Sequence, residues 1–323
     1  MRREGSAFAG LGVVTLKELS DHMTGIRMIV MEWLVVLLAL GVVYTGIQQI
    51  RQVSAEDPFL FLRLFTRSGE GLPSFVSVLS FLVPLVAIGI GFDLVSSERS
   101  QRTLSRILSQ PIYRDALLFG KYLGGLITIT IMLIALWLLV IGLGILTLGL
   151  PPGPEEVARA LAMLVVTIVY AGVWLGLALL FSIVFRSAAT AALVALGLWL
   201  FFTVLWPLLA PYAASPFVSE TVQTPGDLLN QLSVLQGFAR VSPGSLFGEI
   251  VGVLLDPTVR STQQPLLASL GLVLLQPGSI PGAPLPLLQS IMVVWPQTVA
   301  MIASAILLFV IGYVIFQRQE VRA

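Results

Sequence analysis

The sequence predicts an all-α, polytopic membrane protein with six membrane-crossing helices. Three observations carry that expectation. Of 323 residues, 57% are hydrophobic and 11% charged, whereas a soluble domain needs roughly a quarter charged residues to keep its surface in water. The mean hydropathy is correspondingly high, +0.96. The apolar residues also fall in six stretches long enough to cross a hydrocarbon core of about 30 Å, which takes about 20 helical residues at about 1.5 Å each. These runs are continuous rather than alternating, unlike the strands of a membrane β-barrel. Backbone groups at that depth have no water to bond, so helices that satisfy themselves are the economical solution.

The stretches are 28–47, 75–95, 122–149, 157–185, 188–210 and 291–316. The third to fifth carry no charge in their middles. The first is too long for the apolar core of a signal peptide and has no small-residue cleavage site after it, so the N-terminal segment is expected to remain. The whole chain reads as one transmembrane domain. Residues 1–27 form a cytoplasmic elbow region, 28–210 the first five spans, 211–290 an extracytoplasmic region, and 291–323 the last span with its tail.

Orientation follows the basic residues, which concentrate on the cytoplasmic side. Twelve of the 18 lie on one side: Arg2, Arg3, Lys17, Arg27, Arg99, Arg102, Arg106, Arg114, Lys121, Arg186, Arg318 and Arg322. Both termini are therefore expected in the cytoplasm of a cell with this protein in its inner membrane.

Residues 11–29 mix Val14, Leu19, Ile26 and Ile29 with Lys17, Glu18, Asp21 and Arg27. This pattern predicts an amphipathic helix along the inner membrane face that turns into the first span. His22, the single histidine, reads as a solvated side chain there.

Between spans two and three, Arg99, Arg102 and Arg106 share one helical face and Leu104, Ile107 and Leu108 another. Ser97 is placed to cap the helix, Glu98 lies in its first turn and Pro111 ends it. Asp115 is placed to cap a further helix leading through Gly120 and Lys121 into span three. Two readings of this short helix stand together. One is an interfacial helix with arginines on anionic head groups; the other is a docking element for an acidic cytosolic partner.

Residues 211–290 hold many prolines and apolar patches at 251–255 and 266–275 that are too short to span. They read as interfacial or re-entrant helices. The shorter outer loop, 48–74, suggests a further interfacial helix around 59–65.

What is missing narrows the function. There is no Cys and one His, so thiolate, disulfide and most histidine chemistry is excluded. The net charge of +1 is not that of a nucleic-acid binder. The phosphate-loop pattern fails around Gly120-Lys121, and no G-x-S-x-G occurs. Proton-coupled carriers bury carboxylates or His near mid-membrane, and of these groups only Glu32 and Asp93 lie inside the spans, both near cytoplasmic ends, where they read as helix-end groups rather than proton relays. Any driving force must come from another subunit.

The run Glu98-Arg99-Ser100-Gln101-Arg102-Thr103-Leu104, then Leu108-Ser109-Gln110-Pro111-Ile112 and Gly120-Lys121, resembles the cytoplasmic loop of type-2 ABC transporter (ABC-2) permeases. That family's pattern is approximately E-R-x-x-G-T-L, L-L-[ST]-x-P-[IV] and a later G-K; here Arg102 replaces its Gly and Ile107 a Leu. Lys17-Glu18-Leu19 is similar to its elbow helix, residues 182–191 to its inner turn between spans four and five, and Ser242-Pro243 to a pair before an outer helix.

The resemblance implies a non-enzymatic membrane subunit of an exporter, with ATP and Mg bound by a separate ATPase subunit and no cofactor or metal in this chain. It implies a second permease copy, identical or paralogous. Glu98, Arg99, Arg102, Thr103, Leu104, Arg106 and Leu108 would belong to a coupling helix seated in the ATPase. Pro111, Gly120 and Lys121 would shape its loop, and Arg186 and Ser187 would make a second contact. Membrane lipid and an extracytoplasmic partner are further expected contacts. The alternative is a six-span scaffold passing ATPase-driven force or signal to that extracytoplasmic partner without transport.

Overall fold

The computed structural model describes residues 10–50, 59–67, 73–101, 113–149, 151–218, 225–262 and 284–319. Among these residues all regular structure is helical. The helices are α1 (Leu11–Thr24), α2 (Ile26–Ile50), α3 (Arg63–Thr66), α4 (Phe75–Gly91), α5 (Ser96–Ser100), α6 (Arg114–Leu148) and α7 (Pro154–Val184). They continue with α8 (Ala188–Leu200), α9 (Trp206–Ala214), α10 (Pro225–Ala239), α11 (Pro243–Leu255) and α12 (Leu287–Arg318). Six segments among them are long and apolar enough to cross a membrane: Ile26–Gln48, Phe75–Ser100, Arg114–Leu148, Pro154–Val184, Ala188–Phe217 and Leu287–Arg318. The chain is a multi-pass membrane protein.

Two boundaries differ most from the sequence expectation, each for a physical reason. Span three begins at Arg114, about two turns before its apolar run, because those turns are packed against other helices. Span five continues past residue 210 through a π turn at Phe201–Leu205, where the Trp206 N–H reaches back five residues to the Phe201 carbonyl. Pro207 follows at once; with no N–H to give and a ring that crowds the preceding turn, it favours this widening.

Span four is the axis of the bundle. Of its most apolar stretch, 72% is buried within the chain, against 11% in span five and 17% in span six. Spans two, three, five and six all pack on it. The expected interfacial helix near 59–65 is α3 with the turn before it, and it is buried instead: Leu64 and Phe65 are fully enclosed, and Leu64 and Phe61 press on Gly144 of span three. Its entry is held by Glu156, whose carboxylate accepts from the Phe61 N–H (2.9 Å) and the Gly153 N–H (2.7 Å).

After span five, α10 and α11 fold back onto the bundle. The Ser242 hydroxyl donates to the Phe202 carbonyl (3.2 Å) and the Trp206 indole N–H to the Phe238 carbonyl (3.0 Å). Phe247 of α11 stacks on Tyr170 of span four, ring centroids 4.5 Å apart. The far end of α11 meets Arg159, which is completely buried. Its guanidinium donates to the Leu254 carbonyl (2.8 Å), the Ser290 hydroxyl (3.1 Å), the Leu285 carbonyl and Glu155 (3.0 Å). Arg159 and Tyr170 lie about 16 Å apart along their helix at 1.5 Å per residue, so α11 enters well between the spans. Residues 266–275 lie outside the described residues.

Candidate functional site

At the end of the bundle that bears both termini, helix α1 lies against the start of span three. Its buried face is Val14 and Glu18, one turn apart. It comes this close because span three has glycines at 120 and 124. A Cβ on Gly120 would sit 2.6 Å from the Val14 side chain, and one on Gly124 2.7 Å from the Glu18 Cβ. Small residues four apart make a groove that admits a neighbouring backbone. Lys121 stands between them.

That groove places Glu18 on Lys121. The Lys121 ammonium, 2% exposed, donates to Glu18 Oε1 at 2.9 Å and to Glu98 Oε1 at 2.7 Å. One buried cation thus joins three elements: the N-terminal helix, span three, and α5 at the start of the loop between spans two and three. Lys17, on the outer side, bonds Glu18 (3.2 Å) and Asp21 (2.9 Å). Burial by itself would lift the Glu18 carboxyl, but the charges of Lys121 and Lys17 outweigh it and hold the group below its usual range. Beside them His22 is half-buried rather than solvated. Burial pushes its imidazole below the ordinary value, against the opposing pull of Glu18 and Asp93.

The capping expectations are corrected here. Ser97 does not cap α5; Val95 holds that position and the Ser97 hydroxyl donates to the Asp93 carbonyl. The cap comes from span four instead. The Ser182 hydroxyl accepts from the Val95 N–H (2.9 Å) and the Ser96 N–H (3.0 Å). Nor does Asp115 cap span three. Tyr113 takes that place, and Asp115, within the first turn, accepts from the Tyr313 hydroxyl (3.0 Å) and from Gln317 of span six.

Arg99 extends the junction. It donates to the Ile183 carbonyl (3.1 Å) and to the Gln319 side chain, while Arg114 donates to the Gln319 carbonyl (3.2 Å). Arg27 pairs with Asp93. Glu98, Arg99, Gly120 and Lys121 are therefore gathered at one place, with Arg186 and Ser187 exposed in the turn after span four at the same end. Ser187 caps α8 and accepts from the Thr190 N–H. Arg102, Thr103, Leu104, Arg106, Leu108 and Pro111 lie outside the described residues.

Sequence reasoning missed Glu18, Ser182, Asp115 and Gln319 as members of this junction. Glu18 had a signal, an acid on the apolar face of α1; the others are polar residues at helix ends, indistinguishable from solvated ones until their neighbours are known.

The described fold is that of a multi-pass membrane protein with six apolar spans, in which a buried polar junction holds the start of the connection between spans two and three. The sequence matches the model of the ABC-2 family transporter protein family over residues 13–321, so the chain belongs to that family and is a membrane component of an ABC transporter. It is 30% identical over 202 residues to the probable ABC transporter permease protein NosY of Pseudomonas aeruginosa, covering 60% of this chain and 67% of that one. To the protein of the same name from Stutzerimonas stutzeri it is 28% identical over 196 residues, with the same coverage. Such a permease implies an ABC ATPase as partner, and subunits of this family are generally not catalysts themselves.

Proposed function

We propose that this chain is the membrane subunit of an ATP-driven exporter, coupled to a separate ATPase through the loop that begins at Glu98. The termini-bearing end faces the cytoplasm, where the basic residues concentrate, and the membrane is the inner one. Residues Arg102, Thr103, Leu104, Arg106 and Leu108, with Glu98 and Arg99, meet the ATPase, and Arg186 and Ser187 make a smaller second contact. ATP and Mg belong to the ATPase, and a second permease copy completes the pathway.

The observation that carries this reading is the wiring of the loop's first turn. Glu98 is tied through Lys121 to Glu18, Val95 and Ser96 to Ser182, and Arg99 to the ends of spans four and six. A solvated connection needs no such anchorage; a lever does. A push on the loop reaches α1 and spans three, four and six together.

The test is Arg102→Glu with Arg106→Glu in vesicles carrying the permease and its co-purified ATPase. ATP hydrolysis is expected to persist while transport stops, with the bundle still folded. Unchanged coupling, or the absence of any ATPase in the purified assembly, overturns the reading. A second reading, force passed to an extracytoplasmic partner without transport, draws on the rigid tie of α11 to span four through Arg159. A dry, closed interface between permease copies separates it from transport.

A further inference from the structure

Midway along span five, at the π turn of Phe201–Leu205, the backbone is short of donors. In an α-helix the Phe202 carbonyl takes the N–H of Trp206, but that N–H goes to Phe201. In a π turn it takes the N–H five residues on, and residue 207 is a proline, which has none. The carbonyl is answered from outside the helix, where the Ser242 hydroxyl donates to it at 3.2 Å. One turn later Pro211 withdraws the N–H due to the Pro207 carbonyl.

The two halves of the span are held by different neighbours. The inner half, α8, packs on spans two and four. Its Trp199 stands edge-on to Phe81 of span two, ring centroids 4.9 Å apart, and its Ala191 and Ala195 are fully buried. The outer half, α9, finds its main neighbour in α10. The Trp206 indole N–H donates to the Phe238 carbonyl (3.0 Å), and the Phe217 and Phe238 rings lie 5.5 Å apart. The far end of α10 is tied down: the Gln236 amide and the Arg240 guanidinium both donate to Glu249 of α11, each at 2.9 Å. Glu249 also accepts from Gln297 of span six (3.1 Å). The chain thus passes between the bundle and the α9–α10 pair at two places, the π turn and residues 240–242. The bond from Ser242 to Phe202 joins those two places.

We propose that the π turn is a hinge on which the outer half of span five turns together with α10, and that the Ser242 hydroxyl is its latch. Bending a helix ordinarily breaks ladder bonds on its outer side. Here the donors for those bonds are already missing, and a side-chain bond from a neighbouring element spans the breach in their place. An uninterrupted span packed on the bundle from end to end has no such freedom. A turn at this point moves the outer half of the span and leaves the inner half seated on spans two and four. A fixed kink shares the missing donors but not the motion. The hinge is independent of the coupling reading, because it belongs to this chain without nucleotide.

The chain has no cysteine, so pairs of spin labels can be placed at will. The experiment uses the full chain, with any subunits that co-purify, in nanodiscs without nucleotide, labelled copies being diluted in unlabelled ones. Leu193→Cys with Tyr212→Cys, both exposed, spans the hinge over about 28 Å of helix. Val299→Cys with Val314→Cys, exposed on span six, is the control over about 22 Å. The hinge pair is expected to give a wider distance distribution than the control. Pro207→Ala restores an N–H, so Phe202 finds its donor within the helix, and the hinge pair is expected to narrow to the control width. Ser242→Ala is expected to widen the distribution and to quicken amide exchange at residues 208–215 about fivefold, but to change neither when Pro207→Ala is present. A hinge pair as narrow as the control in the otherwise native chain means a fixed kink and overturns the proposal, whether or not the variants fold. Equal effects of Ser242→Ala with and without Pro207 overturn the latch.

Discussion

Lys121 shows what a single side chain does in this fold. It is an ammonium in an apolar sequence, and its burial is tolerable because two carboxylates face it at 2.9 and 2.7 Å. Removing one partner of a buried ion pair leaves the other charge uncompensated, at a cost of about 3–5 kcal/mol. Lys121→Met strands Glu18 and Glu98 together, so a loss of about that size is expected, read as a lowered thermal midpoint in detergent. A midpoint within a degree or so of wild type means that the acids relax to water and the cluster is not enclosed.

The pH dependence follows from the same place. The depressed Glu18 carboxyl contributes stability above the unfolded value of 4.5, and that contribution is lost as pH falls through the lower folded value. His22 has the same sign: its imidazole is also depressed, so acidification below 6.5 charges it more readily in the unfolded chain. Protection of residues 11–24 against hydrogen exchange is therefore expected to weaken progressively from about pH 6.5 to below 4.5. A profile flat over that window removes both groups from the contact.

At the scale of elements, the contact between α1 and span three rests on two hydrogen atoms. Gly124→Val places a branched side chain where only 2.7 Å separates its Cβ from Glu18. Overpacking of this kind costs about 1–3 kcal/mol, and here it lifts α1 from its groove while leaving the spans intact. Faster exchange confined to residues 11–24 is the expected outcome; unchanged exchange there means that α1 slides along the groove without penalty. Ser182→Ala tests the borrowed cap. It leaves the Val95 and Ser96 N–H groups buried without their acceptor, about 1–3 kcal/mol, and is expected to increase exchange at α5.

The element scale also marks where reading the sequence stopped. Both proposed caps failed, at Ser97 and at Asp115. Capping was read from local spacing, and a residue of the right type was nearby in each case. The real cap of α5 comes from Ser182, 86 positions later in the chain. Nothing local distinguishes that serine from any other near a helix end.

For the whole molecule, span four and Arg159 decide how the end opposite the termini is held. Arg159 joins α7, α11 and the entrance to span six through its bonds to Leu254, Leu285 and Ser290. Arg159→Met keeps the apolar stem but withdraws every donor. Destabilisation of about 3 kcal/mol or more is expected, with protease cleavage appearing near α11 before the spans unfold. Cleavage no faster than in wild type means that α11 is held by its apolar face alone.

The spans themselves were readable from sequence because the rule behind them is local: twenty apolar residues in a row have one economical conformation in hydrocarbon, whatever the rest of the chain does. Glu98 and Gly120-Lys121 could be singled out as one loop for the same reason, being near in sequence. Which polar residue answers which could not be read. Glu18 and Lys121 are 103 positions apart, and the energy of a buried charge depends on the distance to its counter-charge and on the exclusion of water between them. Only the packing of α1 into the glycine groove creates both conditions, and so the junction belongs to the tertiary structure alone.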